Sequence, residues 1–312
     1  MALSGIQIYK LLPQTNCKDC DFPTCLAFAM KLAAKQVELS LCPHVSDEAM
    51  EQLSEAAAPP VRPFALSSNG NEVKAGNEVV MFRHEKTFYS HPGLFLRVYD
   101  TESAAEIKAK VTPANAYKVD YVGMDLEMSG FVIQANGGDF AAAVAAVREA
   151  SHRPVILVGE LDALKAGLAK LGDGEKAMLC HATKENWQAM AELAKEYDAA
   201  LAVSADTIDE MADLSAKLTE AGIKDLVLSP TQRGFRGTLV ANTVARRMAI
   251  KSTFRPLGYP IISFPGDVGD PATEVMLAAQ AISKYSGFVV LDNFSPETAY
   301  PLLVLRENIF TD

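Results

Sequence analysis

No stretch of the 312-residue sequence is apolar for long enough to cross a bilayer. The longest runs, Pro154 to Gly159 and Ala199 to Ala205, fall far short of the ~20 residues a membrane helix needs. Basic runs are missing as well. With 29 Lys and Arg against 39 Asp and Glu, the formal charge is −10. Nucleic acid or an anionic membrane surface as partner would need a concentrated basic face, so both are excluded. The opening residues, MALSGIQIYKLLPQ, carry no basic segment ahead of an apolar core and no small-residue cleavage site; the expectation is a cytoplasmic protein. Beyond Cys42 the sequence contains only Cys180. No glycine-rich dinucleotide fingerprint follows the first candidate strand, and no metal-binding or nucleophile motif occurs in the long second region.

Cys17, Cys20, Cys25 and Cys42 are all crowded into the N-terminal segment, which marks a separate module. Glu55-Ala-Ala-Ala-Pro-Pro-Val-Arg-Pro63 follows it, and its prolines stop any helix and favour a stiff, extended connector. The expected organisation is a cluster domain over 1–57, a Pro-rich linker over 58–63 and a second domain over 64–312.

The second region repeats one pattern: a short apolar run, a polar turn, then an alanine-rich stretch of helical spacing. Candidate strands are Val79-Phe82, Tyr121-Leu126, Val155-Val158, Ala177-Cys180, Ala200-Ser204, Leu226-Ser229, Pro260-Phe264 and Phe288-Leu291. Helices are expected at roughly 101–115, 139–150, 161–171, 184–197, 207–221, 236–250, 271–285 and 296–309. Asp139, Thr183 and Asp206 read as N-caps, as do Asp270 and Ser295 ahead of prolines that suit a first helical turn. Runs apolar throughout, such as VILVG and FVVLD, imply strands buried on both faces. Eight such units predict an α/β fold of the (β/α)8 TIM-barrel class, with an open doubly wound sheet as the rival.

The cysteine spacing is Cys17-x2-Cys20-x4-Cys25-x16-Cys42, followed by Pro43. Structural zinc usually draws on two close pairs, whereas three near ligands and one distant one is a common iron-sulfur arrangement. The spacing favours iron-sulfur and leaves zinc open. A segment of fewer than ~60 residues has little core of its own and needs a metal or a staple. Disulfides do not suit a reducing compartment. Between the ligands, LAFAMKLAAKQVELS reads as a short amphipathic helix whose Leu26, Phe28, Ala29 and Leu32 can cover the site.

Barrel chemistry sits at the C-terminal ends of strands. Those ends carry Asp125, Glu127, Glu160, His181, Asp206, Ser229, Asp267, Asp292 and Asn293, with Asp125 and Asp292 the nearest to an acid-base pair. Helix capping and turns account for most of these carboxylates. Strand alternation sends Cys180 and His181 to opposite sides, Cys180 as a small buried hydrophobe. His44, beside Cys42, reads as a turn residue. Gly137-Gly138 and Gly234 to Gly237 fit tight turns better than phosphate sites, and Arg246, Arg247 and Lys251 suit a helix C-terminus.

The segments IYKLLPQTNCKDCDFPTCLAFAMKLA and CPHVSDEA, the Ala-Pro linker, FRPLGYPIISFP and YPLLVLRENIFTD resemble the large (gamma) subunit of the corrinoid iron-sulfur protein of anaerobic acetyl-CoA synthesis, over the whole chain. That resemblance implies a [4Fe-4S] cluster held by Cys17, Cys20, Cys25 and Cys42, a barrel, and a further corrinoid-binding domain for which the sequence ending at Asp312 has no counterpart, as in a truncated chain. It also implies a methyl carrier more than a free-standing catalyst. Cobalt takes a methyl group from a methyltetrahydrofolate methyltransferase and passes it to acetyl-CoA synthase/CO dehydrogenase, and the cluster restores Co(II) to Co(I). The implied partners are a small subunit in a heterodimer, those two enzymes, and a low-potential donor such as ferredoxin. The alternative is a self-contained barrel methyltransferase or lyase with a structural or redox-sensing cluster.

Overall fold

A computed structural model describes residues 4–33, 36, 37, 39–46, 48–50, 53, 59–86 and 88–310. The chain divides into two compact units, Met1–Pro59 and Pro60–Asp312. The start of the expected connector, residue 58, lies outside the described residues.

In the first unit, helix α1 (Gly5–Leu11) begins with a capping box. The Gln7 N–H donates to Ser4 Oγ, and the Gln7 side chain accepts the Ser4 N–H at 2.8 Å. Helix α2 (Cys25–Ala33) crosses it closely enough that a Cβ on Gly5 would lie 2.4 Å from Met30 Sδ. Ile8, Leu12, Phe28, Ala29 and Leu53 form a small core together with Cys20, Cys25 and Cys42. The amphipathic helix expected up to Ser40 is shorter: it ends at Ala33, and Leu39–Leu41 form a separate 3-10 turn. Residues 34, 35 and 38 of that expectation lie outside the described residues. Leu26 is exposed and so does not cover the cysteines, whereas Phe28 and Ala29 are buried.

The second unit opens with an antiparallel hairpin, β1 (Phe64–Ser68) and β2 (Asn71–Ala75), that no sequence signal announced. Strand β3 (Gly93–Tyr99) and helix α3 (Ala104–Ala116) make the first barrel unit. A second hairpin, β4 (Lys118–Tyr121) and β5 (Met124–Glu127), precedes β6 (Gly130–Gln134) and α4 (Phe140–Ala150). The remaining pairs are β7 (Val155–Val158) with α5 (Leu161–Leu168), β8 (Met178–Ala182) with α6 (Trp187–Glu196), and β9 (Ala200–Ala205) with α7 (Ile208–Glu220). Then come β10 (Leu226–Pro230) with α8 (Gly234–Lys251), β11 (Ile261–Ser263) with α9 (Pro271–Ser283), and β12 (Ser286–Leu291) with α10 (Pro296–Phe310). Strands β3 and β6 to β12 run parallel and close into an eight-stranded barrel, with β12 pairing back to β3. The α/β barrel class is as expected. Among the described residues no helix is long and apolar enough to cross a membrane.

Two expected strands are misplaced. Val79 to Phe82 is irregular, with Phe82 exposed, and the first barrel strand is instead GLFLRVY, buried at six of its seven positions. Tyr121 to Leu126 turns back on itself, because Val122 and Gly123 take φ of 54° and 79° and form a two-residue hairpin loop. Two caps also differ. Helix α6 starts after Asn186 rather than Thr183, and Thr207 rather than Asp206 caps α7, its Oγ1 accepting the Glu210 N–H at 3.2 Å. Asp139 and Asp270 cap as expected, accepting from Ala142 and Thr273 at 2.9 and 2.8 Å.

Along β3, Leu94, Leu96 and Val98 face the helices, while Phe95 joins the barrel interior with Val132, Ile156, Met178 and Phe288. The first hairpin closes the amino end of this interior. Leu66 and Ala75 belong to the same cluster, the Phe64 and Phe288 rings lie 5.7 Å apart, and Ser67 exchanges two backbone hydrogen bonds with Lys176, at 3.2 and 2.8 Å, just ahead of β8.

Candidate functional site

The cysteine loop owes its shape to four non-glycine residues held at positive φ: Gln14 at 57°, Asn16 at 50°, Lys18 at 73° and Asp21 at 62°. Such left-handed residues are uncommon and turn successive backbone N–H groups toward a common concavity. Asn16 fastens the loop to α2: its Oδ1 accepts the Cys25 N–H at 2.8 Å, and its own N–H lies 3.4 Å from Cys25 Sγ. Cys25 is the first residue of α2, where the helix dipole favours a thiolate. Cys20, Cys25 and Cys42 are buried in one cluster, and Cys17 is exposed. Burial pushes the Cys42 thiol up; a backbone N–H bond from His44 opposes this, and the charges of Cys20, Cys25 and Cys17 push it further up. The Cys42 sulfur is thus near enough to the other three to feel their charge as thiolates. Soft thiolates at that density, all of them free, suit an iron-sulfur cluster or zinc.

His44 is more than a turn residue. Its Nε2 lies 2.5 Å from Asp19 Oδ2, and the hydrogen bonds from His44 and then Cys17 hold the Asp19 carboxyl below its usual range. The Cys17, Asp19 and His44 ligand atoms fall within 4.8 Å of one another at the exposed edge of the cysteine loop.

In the barrel, the expected end-of-strand set is rearranged by the two strand corrections. Asp125 and Glu127 belong to the β4–β5 hairpin ahead of β6, at the amino end, where Asp125 pairs with Lys118 at 2.8 Å and Glu127 with Arg153 at 2.8 Å. Asp125 and Asp292 are therefore not a pair. At the carboxyl end the organising residue is Arg97, a charge inside the otherwise apolar β3. It donates to both oxygens of Asp292, at 2.7 and 3.0 Å, and lies 2.8 Å from Asp267. Arg233 donates to the other Asp267 oxygen at 2.7 Å, and Tyr99 Oη to Asp292 at 2.8 Å. Burial works against the Arg97 charge, but the two carboxylates more than offset it and raise its pKa. Burial and the Asp292 bond push the Tyr99 hydroxyl up to about 12. Glu274 fixes the loop after β12, accepting from the Asp292 and Asn293 N–H groups at 2.5 and 3.3 Å. The network plugs the middle of the mouth, with both arginines stacked on Phe264, 6.0 and 5.3 Å from its centroid.

Beside the plug lies a cavity of about 1130 Å³ lined by Asp100, Glu160, Cys180 and His181 among others. The last two do not point apart. The β8–β9 register slips between Cys180 and Ala182, so His181 is the extra residue of a bulge and both side chains reach this cavity. Burial pushes the Cys180 thiol up and lowers His181 to about 4, its Nε2 enclosed without a partner among the described residues. Ser229 Oγ is likewise buried, and Asp206 accepts from Thr231 at 2.7 Å. Gly138 is explained by crowding, since a Cβ there would lie 2.1 Å from the Asp100 carbonyl oxygen. Arg246 is structural as expected, pairing with Glu78 at 2.9 Å. Arg97, Tyr99, Arg233 and Glu274 were missed in the sequence. A lone arginine inside an apolar run was the available signal.

Comparison with known proteins bears on both units. The family described as CO dehydrogenase/acetyl-CoA synthase delta subunit matches residues 64–312, and an Fe-S cluster family matches residues 12–44. The chain is 40% identical over 316 residues to the corrinoid/iron-sulfur protein large subunit of Moorella thermoacetica, covering 100% of this chain and 70% of that protein. The chain belongs to the corrinoid/iron-sulfur protein large-subunit family. Relatives in the same family include acetyl-CoA decarbonylase/synthase complex subunit gamma 1 of Methanosarcina mazei, 33% identical over 99% of this chain and 70% of its own. The gamma subunit of Archaeoglobus fulgidus is 30% identical over 99% of this chain and 71% of its own. The family match begins at the first residue of β1 and runs through the whole barrel, and the Fe-S match spans all four cysteines.

Proposed function

We propose that this chain is the large subunit of a methyl carrier in anaerobic acetyl-CoA synthesis, and that Cys17, Cys20, Cys25 and Cys42 hold its [4Fe-4S] cluster. A corrinoid bound to the carrier would supply the methyl-accepting cobalt, the methyl group coming from a methyltetrahydrofolate methyltransferase and going to acetyl-CoA synthase. The observation that carries this reading is the convergence of four free thiols in a chain of this family. When bound, the cluster supplies a low-potential electron that returns oxidised cobalt to its nucleophilic state, cubane potentials spanning roughly −700 to +450 mV.

The chain's own residues supply the rest. Each cysteine provides one thiolate, and the Asn16 N–H at Cys25 Sγ withdraws charge from that ligand, a lever on potential. Phe28, fully buried, and the Phe22 ring 5.5 Å from it keep water from the inner side. Exposed Cys17 gives a ferredoxin-type donor its edge of approach. Cytoplasmic placement and a small-subunit partner belong to the same proposal. The barrel serves as scaffold: Asp267 and Asp292 are already engaged by arginines and are not poised as acid and base.

Anaerobic iron and sulfide analysis with electron paramagnetic resonance of the dithionite-reduced chain tests the proposal. The expected result is four irons per chain and a reduced-cubane signal. One zinc without iron would overturn the redox role.

A further inference from the structure

Beside the salt-bridged plug, the β6, β7 and β8 sector of the barrel mouth opens into the cavity of about 1130 Å³, which is small-molecule size and far more than one ion needs. Five carboxylates line it, those of Asp100, Asp139, Glu160, Asp162 and Glu185, and no lysine or arginine among the described residues does. His181 adds no positive charge at neutral pH, since burial lowers it to about 4. Helices α4 and α5 begin at this cavity, and each helix start contributes about +0.5 charge, well short of five carboxylates. The field in the cavity therefore selects a cation over an anion.

An acidic rim alone would be ordinary solvated surface, and four of the five carboxylates are exposed. The inner wall is different, because it holds polar side chains that are buried and left without partners. Asp100 is 6% exposed, and its Oδ1 accepts the Asn136 N–H at 2.7 Å. Its Oδ2 has no partner among the described residues and is not sealed in, so it opens onto the cavity that Asp100 lines. Neither ring nitrogen of His181 is hydrogen-bonded among the described residues, and Nε2 is fully enclosed. The loop carrying that ring is braced, since the Asn186 side chain accepts the Thr183 N–H at 2.8 Å and donates to the His181 carbonyl at 3.2 Å. Gln134 donates through Nε2 to the Ala135 carbonyl at 3.3 Å, which leaves its Oε1 unengaged.

The unfilled groups are thus mostly acceptors, and a buried carboxylate oxygen without a donor costs free energy until one arrives. A flat fork of N–H donors carrying a positive charge is what a guanidinium supplies. We infer that this sector of the barrel mouth binds a small organic cation with a guanidinium-type head, met by Asp100 and Gln134 on the inner wall and by Glu160 at the rim. The inference goes beyond the proposed function and does not rest on it.

Isothermal titration calorimetry of the full chain with butylguanidinium chloride, sodium pentanoate and manganese chloride tests it, alongside the histidine ring signals in proton NMR. Butylguanidinium is expected to bind once per chain and to shift the His181 ring signal, assigned through His181→Gln. Pentanoate, with the same alkyl chain and the opposite charge, is expected not to bind. Asp100→Asn should weaken butylguanidinium binding at least about 10-fold, the loss of one charge-assisted hydrogen bond, and Glu160→Gln about 3-fold. Glu149→Gln, an equal loss of charge on α4 outside the cavity, should leave affinity unchanged. Glu160 is exposed and makes no side-chain cap bond, so its variant keeps the test decisive if Asp100→Asn fails to fold. A wild-type chain that ignores butylguanidinium would overturn the inference, as would affinity unchanged in both cavity variants or pentanoate binding as tightly. Manganese that displaces butylguanidinium and broadens the His181 signal would reassign the cavity to a metal ion and likewise overturn it.

Discussion

The two units solve the same problem at different scales. The barrel buries apolar side chains on both faces of a closed sheet and can place a charged network at its mouth without losing its core. The first unit has one small cluster in which three of the buried members are cysteines, so little of its interior is aliphatic or aromatic. The lesson is that compact units can be built from unlike material: aliphatic and aromatic packing throughout one, a core rich in free cysteine in the other.

The largest expected effect separates them outright. Cys20→Ser is expected to abolish iron binding and to unfold α1 and α2, because in a domain with so small a core the free energy of metal binding is folding free energy. The one tryptophan, Trp187, lies in α6, so its emission reports the barrel alone and its urea midpoint should stay where it was. A common loss of both signals would break the comparison. Next in size is Arg97→Met, which leaves Asp292 and Asp267 short of their shared cation and should lower barrel stability by about 3–5 kcal/mol. Urea titration followed at Trp187 measures it, with iron content unchanged.

Acid sharpens the contrast further. Burial, and next the Arg233 charge, lower His181 from 6.5 to about 4 in the folded barrel, so between those values the unfolded chain takes up a proton that the folded one refuses. Stability is therefore complete above pH 6.5 and lost as pH falls toward 4, by roughly 3 kcal/mol from this group. His181→Gln should flatten that part of the stability profile, and identical slopes in the two proteins would refute the assignment. The smallest effects come from matched caps. Ser4 and Ser103 both close capping boxes, and replacing either with alanine should cost about 1 kcal/mol. Ser4→Ala should be felt in iron retention and Ser103→Ala only at Trp187.

Six of the eight barrel strands were legible because each is a short apolar run followed by a turn and a stretch of helical spacing, as in VILVG ahead of α5. The first two were not. In GLFLRVY the charge of Arg97 hides a buried strand, since the Asp292 and Asp267 that neutralise it come from the far end of the chain. In the second unit of the repeat, Tyr121 to Leu126 looked like a strand although left-handed backbone at Val122 and Gly123 folds it into a hairpin. The gathering of Cys20, Cys25 and Cys42 into one small core was legible in their crowding at the N-terminal end of the sequence. The plug at the barrel mouth was not, because hydrogen-bond partners 170 to 195 positions apart leave no local trace.

The hairpin that closes the amino end of the barrel carries a consequence for synthesis. Phe64 meets Phe288, and β3 pairs with β12, so neither contact can form until the last strand has left the ribosome. At about 5–20 residues per second that is a wait of roughly 10 to 45 seconds, with half a barrel exposed. Among the described residues, the core of the first unit reaches no further along the sequence than Leu53. The order of emergence therefore lets the cysteine unit gather its metal on the nascent chain, well before the scaffold behind it has an inside.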